Sequence, residues 1–226
     1  MPFPGLAERV HEVRDRVADA VRRGGHAQSV EIVAVTKTHT PDAVEAAWEV
    51  GLKLVGENKV QEALEKMPQV KAPVAWHLIG HVQRNKVKHL SRFAMLHSLD
   101  SLRLAEAANA DGAASKRRHA VLVQVNTSGE ETKGGFSLGE LERDVGLLAA
   151  LPWLSVEGTM TMAPLDADER VLRATFSGAR EAREILRRGG LPATELSMGM
   201  SNDYEIAVEE GATMVRLGTL LFGARA

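Results

Sequence analysis

Lys37 closes a short apolar run, EIVAVTK (31–37), and a primary amine in such a place has a definite chemical use. In an alternating strand it shares a face with Val33 and Val35. An ammonium partly desolvated at the end of that face has a lowered pKa, which suits Schiff-base formation with a carbonyl compound. The competing reading is a lysine that bends out to water. Near the other end of the chain, LSMGMSN (196–202) and RLGT (216–219) finish two further apolar runs with small residues. Ser197, Gly199 and Ser201 offer hydroxyls or close backbone approach, and Gly218-Thr219 opens a last turn with unpaired amides and a hydroxyl. These are the materials of a phosphate site, although each cluster alone is equally an ordinary glycine turn. Arg216 falls by strand parity with Met214 and Gly218 on an interior face, where a guanidinium needs a partner. That partner is either an acid such as Glu195 or a ligand acceptor such as a pyridine nitrogen.

Other residues carry weaker signals. Glu57-Asn58 either presents an amide to a ligand or caps the helix that follows. His77 and His81 lie four apart but straddle a strand end, outside the helical spacing that binds zinc, so no metal is expected. Met160 and Met162 read as an adaptable apolar wall or as core filler. The glycine-rich segment NTSGEETKGGF (126–136) carries Lys133 and reads as a mobile surface loop long enough to cover a site. Arg84, Lys86, Lys88 and His89 form a basic stretch that reads as a solvated face.

These residues gain meaning from the elements that hold them. Leu6, Val10, Val13, Val17 and Val21 sit at helical spacing before Gly24-Gly25, which predicts an amphipathic helix over 6–23. Strand-like runs follow at 31–37, 52–58, 75–80, 94–99, 119–126, 154–160, 194–198 and 213–217, each trailed by a polar turn and a helical stretch. The helical stretches include a basic one near 84–90 and others at 101–114, 137–150, 168–188 and 203–210. Strands apolar on both faces, alternating with helices, indicate parallel pairing under helical cover. Eight of them close most economically into a single (β/α)8 barrel, with a doubly wound open sheet as the alternative. In a barrel the working face lies at the strand C-termini, and the loops after the last two strands are the usual phosphate site.

The composition narrows the function classes. The 226 residues carry 28 Lys+Arg against 30 Asp+Glu, with no long block of one sign, so nonspecific nucleic-acid or anionic-membrane binding is not expected. The absence of cysteine excludes disulfides, iron–sulfur clusters and thiol catalysis. Arg9 interrupts any apolar core of signal-peptide length, and no apolar run approaches a membrane span, so a cytoplasmic protein is expected.

Together, AVTKTHTPDAVEAA, GENKVQEALEK, WHLIGHVQRNKVKHL, HSLDSL, VLVQVNTSGEETKGGF, GTMTMAP and LSMGMSNDYEIAVEEGATMVRLGTLLFGAR resemble the pyridoxal phosphate homeostasis proteins, relatives of the barrel domain of alanine racemase-type enzymes. The stretches cover nearly the whole chain in order. The resemblance implies pyridoxal 5′-phosphate (PLP) held in a (β/α)8 barrel, with Lys37 in the Schiff base, Arg216 facing the pyridine nitrogen, Ser197, Gly218 and Thr219 on the phosphate, and Asn58 near the ring. Gly199 belongs to the same phosphate loop. Lys59, Arg84 and Thr159 depart from the family pattern: the first removes a stacking or packing group near the second loop, and none of the three touches the lysine, the arginine or the phosphate loops. An arginine at the ring nitrogen disfavours its protonation and weakens the ring as an electron sink, although racemases of this fold share that arginine. Those racemases take a second base, a tyrosine, from a further domain. Here the sole tyrosine is Tyr204 and nine residues follow Leu217, so that domain is not expected. The expectation is therefore a monomeric carrier that buffers and delivers the cofactor, with PLP-requiring apo-enzymes as recipients. A weak amino-acid racemase and a lysine-dependent aldolase on a phosphorylated sugar are the alternatives.

Overall fold

The computed structural model describes residues 3–128 and 134–223. Its strands are β1 (Glu31–Val35), β2 (Leu54–Glu57), β3 (Ala75–Leu78), β4 (Met95–Leu99), β5 (His119–Gln124), β6 (Leu154–Met160), β7 (Glu195–Ser197) and β8 (Met214–Leu217). Ile32, Val33, Ala34 and Val35 are all buried, so β1 is covered on both faces. Neither face of such a strand can meet water, as in a barrel wrapped by helices or an open sheet covered on both sides. Each strand pairs in parallel with the next, and β8 returns to β1, closing the sheet. The (β/α)8 expectation holds and the open-sheet alternative is overturned.

The helices are α1 (Leu6–Gly24), α2 (Asp42–Glu49), α3 (Val60–Lys66), α4 (Leu102–Ser115), α5 (Leu138–Ala149), α6 (Glu169–Arg188), α7 (Tyr204–Glu209) and α8 (Thr219–Phe222). Local chemistry marks their starts. The Ser101 hydroxyl accepts from Leu104 N–H, Ser137 and Glu140 form a reciprocal capping box, and the Asp168 carboxylate accepts from Val171 N–H. α1 buries Leu6, Val10, Val13, Val17 and Ala20. It is tied to α7 by Arg23 to Glu209 at 2.6 Å and by Arg16 to Glu205 at 3.4 Å.

One element differs in kind from its expectation. The basic stretch forms a 3₁₀ helix over Arg84–Arg92 rather than an α-helix. Its buried residues, Val87 and Leu90, continue to the buried Phe93 at a spacing of three, which aligns on a helix of 3.0 residues per turn and drifts on one of 3.6. Arg84 and Lys88 are exposed, as a solvated face requires. Among the described residues, no helix is long and apolar enough to cross a membrane.

Candidate functional site

At the C-terminal ends of the strands lies a cavity of about 690 Å³ whose wall includes Val35, Lys37, Asn58, Arg216, Gly218 and Thr219. β1 stops at Val35, and the chain turns at once: His39 N–H donates to Thr36 O at 3.1 Å while Thr38 takes φ 66°. Lys37 therefore stands on a tight turn just beyond the strand rather than as its last residue, and still lines the same cavity as Val35. Asn58, immediately after β2, rests on Gly80. A Cβ at that glycine would lie 2.3 Å from Asn58 O and 2.6 Å from its Oδ1, so residue 80 must be glycine for Asn58 to keep its place.

Arg216 is interior, as strand parity requires: β8 pairs with β1 so that Arg216 stands opposite Val33. It is 4% exposed, and its guanidinium is held by neutral acceptors. Nη1 donates to Ser197 O at 2.8 Å and to Ser197 Oγ at 2.7 Å, and Nη2 donates to Thr161 O at 2.9 Å. Glu195 is not its partner. That carboxylate accepts from the Thr213 hydroxyl at 2.6 Å instead, because residues 195 and 197 share a strand face and Ser197 already occupies the interior position beside the guanidinium. No carboxylate among the described residues pairs with Arg216. Burial lowers its pKa to about 10, opposed only in part by the more distant charge of Asp203. The group stays cationic, unneutralised, and on the cavity wall.

Ser197 departs from its expected place. It is fully buried and not on the cavity wall, and its hydroxyl also meets His97 Nδ1 at 2.9 Å. His97 Nε2 in turn meets His77 Nδ1 at 2.8 Å. Burial holds both rings neutral: His77 falls to about 4, and His97 falls well below the usual histidine range, with its coupling to His77 and the charge of Arg216 adding to the effect. Arg216 donates to Ser197 Oγ, and the arrangement that also uses the hydroxyl proton has it donated to His97 Nδ1, with His97 Nε2–H donating to His77 Nδ1. Ser197 thus anchors the arginine and does not line the cavity. The hydroxyls at the cavity are those of Ser201 and Thr219. Gly199 is likewise off the wall. At φ 92°, with a Cβ position 2.6 Å from Ala207 Cβ, only glycine fits there, and its carbonyl accepts from Arg216 N–H at 2.9 Å.

A second buried cluster lies beside Lys37. Lys66 Nζ donates to Glu57 Oε1 at 2.7 Å and to Thr36 O at 2.9 Å, and the Thr36 hydroxyl donates to Glu57 Oε1 at 2.6 Å. Burial pushes the Glu57 carboxyl up, and the hydrogen bonds from Lys66 and Thr36 draw it back. Sequence reasoning singled out neither Lys66 nor His97. Lys66 reads locally as the end of a polar helix, and His97 as one polar residue of an apolar run.

The remaining candidates separate. Met162 lines the cavity, whereas Met160 is core. His77 meets His97 inside the barrel, while His81 is exposed and pairs with Asp100 at 2.7 Å. Tyr204 is buried beside a different cleft, which Arg9, Arg16 and Ile206 also line, and is not on the wall of the Lys37 cavity. Lys133 lies outside the described residues.

The family model for the alanine racemase N-terminal domain matches residues 11–226. The chain is 39% identical to a pyridoxal phosphate homeostasis protein of Aquifex aeolicus, over 96% of this chain and 97% of that one. It is 32% identical to the Escherichia coli protein of the same name, over 97% of each. Among solved structures, PipY of Synechococcus elongatus with PLP bound superposes with a TM-score of 0.86 at 34% identity, covering 96% of this chain and 100% of that one. Alanine racemase from Corynebacterium glutamicum shares the fold, with a TM-score of 0.73 at 18% identity over 93% of this chain and 61% of that one. On the span of the family model and the identity to full-length relatives, the chain belongs to the alanine racemase N-terminal domain family and, within it, to the pyridoxal phosphate homeostasis proteins.

Proposed function

We propose that this chain binds pyridoxal 5′-phosphate reversibly through Lys37 and serves as a carrier that buffers the cofactor and passes it to PLP-requiring apo-enzymes. The observation that carries the reading is the meeting of three unlike groups on one cavity: the amine of Lys37, the unneutralised guanidinium of Arg216, and the small turn Gly218-Thr219 with Ser201 beside it. The bound cofactor supplies an aldehyde to which amines add reversibly. Lys37 would hold that aldehyde as a Schiff base. Arg216 would donate to the ring nitrogen and keep a proton off it, because a second positive charge there is costly. Gly218, Thr219 and Ser201 would take the phosphate: the Thr219 amide opens α8 without an intrahelical acceptor, and the Ser201 hydroxyl, which accepts from Leu220 N–H at 3.3 Å, stands beside it. Asn58 would stand beside the ring. Release follows when an incoming amine adds and the Lys37 amine departs, an exchange that needs no oxidant or reductant. The chain is read as one barrel domain, acting as a cytoplasmic monomer.

A carrier is favoured over a racemase by the names of its relatives and by the burial of Tyr204, the sole tyrosine, away from this cavity. The test is to saturate the purified protein with PLP, reduce it with borohydride and map the modified peptide. The adduct is expected on Lys37, with the visible band missing in Lys37→Ala. An adduct on another side chain, or none at all, overturns the proposal. Robust exchange of solvent deuterium into the α-carbon of an amino acid would defeat the carrier reading.

Thr219→Ala is expected to form the same coloured adduct but to lose cofactor about ten-fold faster on dialysis, the effect of one hydrogen bond of about 1.5 kcal/mol to a charged group. Retention equal to wild type would move the phosphate away from α8.

A further inference from the structure

Thr38, the residue after Lys37, is the only β-branched side chain among the described non-glycine residues with positive φ. A β-branched residue is an outlier at φ 66°, and such strain persists only where the surroundings over-determine it. Here the surroundings are three side chains from β2 and α3. Thr38 N–H donates to the Glu62 carboxylate. Lys66 holds Thr36 O, Glu57 holds the Thr36 hydroxyl, and Lys66 Nζ lies 2.7 Å from Glu57 and 3.4 Å from Glu62, joining the two acids into one cluster. The backbone is thus gripped on both sides of Lys37. Glu57, Glu62 and Lys66 are not on the cavity wall, so they do not hold the ligand themselves.

We propose that Glu57, Glu62 and Lys66 are positioning residues that hold the turn 36–39 in a conformation its own sequence disfavours, so that the Lys37 amine is oriented before an aldehyde arrives. The inference rests on the reading of Lys37 as the imine-forming residue. In that step the unprotonated amine adds to the aldehyde carbon, and the two amine hydrogens leave with the carbonyl oxygen as water. A pre-set turn spares the orientational search that a loose one would repeat at each encounter. Thr38 sharpens the effect: a stiff residue forced into this basin has few neighbouring conformations, whereas glycine would have many.

The test compares wild type, Thr38→Gly, Glu62→Ala and Glu62→Gln as apo-proteins. Each is mixed with 5′-deoxypyridoxal, which lacks both the phosphate and the hydroxyl that would close pyridoxal into a hemiacetal, so that the imine rate constant reports the lysine without the phosphate contacts. Thermal melts are recorded in parallel, and borohydride-trapped peptides are mapped. Thr38→Gly is expected to keep or raise Tm while imine formation slows about ten-fold, a fraction of the ~10²-fold that a 1 Å misplacement costs. Glu62→Ala is expected to slow the same step, and Glu62→Gln, which keeps an acceptor oxygen, to recover most of it. Wild-type rates in both Thr38→Gly and Glu62→Ala would overturn the proposal, as would rate losses that merely track losses in Tm. A wild-type adduct absent from Lys37 would be a different failure, visible in the mapping, and would remove the cofactor reading along with this inference.

Discussion

Lys66→Met is expected to lower the unfolding free energy by about 3–5 kcal/mol near neutral pH, a large share of the ~5–15 kcal/mol that a folded protein has. Lys66 is 5% exposed and Glu57 is 0% exposed, so this is a buried pair, and Glu57 Oε2 already has no hydrogen-bond partner. Methionine fills nearly the same space but removes the cation, leaving a buried carboxylate with only the Thr36 hydroxyl. The deficit has a pH signature. Burial raises the Glu57 pKa above its reference of 4.5, so the folded state binds the proton more tightly than the unfolded state. Its contribution to stability is greatest below the unfolded pKa and declines as pH rises toward the folded one. Loss of Lys66 raises the folded pKa further and extends that decline upward. Urea denaturation of the variant should therefore show a smaller deficit at about pH 5 than at about pH 8. Equal deficits at both, or one under about 1 kcal/mol, would mean the pair behaves like an exposed salt bridge.

How much of this was legible in the sequence depends on whether a feature is local. The strands were legible because a parallel strand buried on both faces must be a short apolar run, and β1 and β5 each appear largely as one. Lys37, Arg216 and Gly218-Thr219 were legible because strand parity and strand ends are one-dimensional facts, and the cavity does collect them. Ser197 was placed on the right strand, but its hydrogen-bond partners were not legible. Its role is set by His97, 100 residues away on β4, which reaches β7 through the barrel interior rather than through a neighbouring strand. Parity predicts which side chains point inward, not which of them meet across the axis. The same limit hid Lys66, whose partners Glu57 and Thr36 lie 9 and 30 residues away. The left-handed turn at Thr38 was not legible at all, since threonine argues against positive φ and only tertiary contacts hold it there.

Arg216→Ala tests the electrostatic half of the proposed site, and it is expected to weaken PLP binding about ten- to a hundred-fold, the range of a hydrogen bond between a cation and its acceptor at ~1.5–3 kcal/mol. The size follows from how the guanidinium is held. Its protein partners are a hydroxyl and two carbonyls, and behind the hydroxyl stand two rings that burial keeps neutral, so among the described residues no carboxylate pairs with it and the Asp203 charge offsets it only in part before a ligand arrives. A buried cation kept in that state favours an electron-rich acceptor at the cavity wall and resists a second cation there. Without it, a proton can enter the ring nitrogen, so the visible spectrum of the loaded variant should change with pH over a range where the wild-type spectrum is flat. Arg216→Lys separates charge from shape: an ammonium restores the flat spectrum but cannot span Ser197 and Thr161 as the planar fork does, so affinity should recover only in part. If Arg216→Ala binds PLP as tightly as wild type with an unchanged spectrum at every pH, the arginine is a structural cation and the ring nitrogen lies elsewhere.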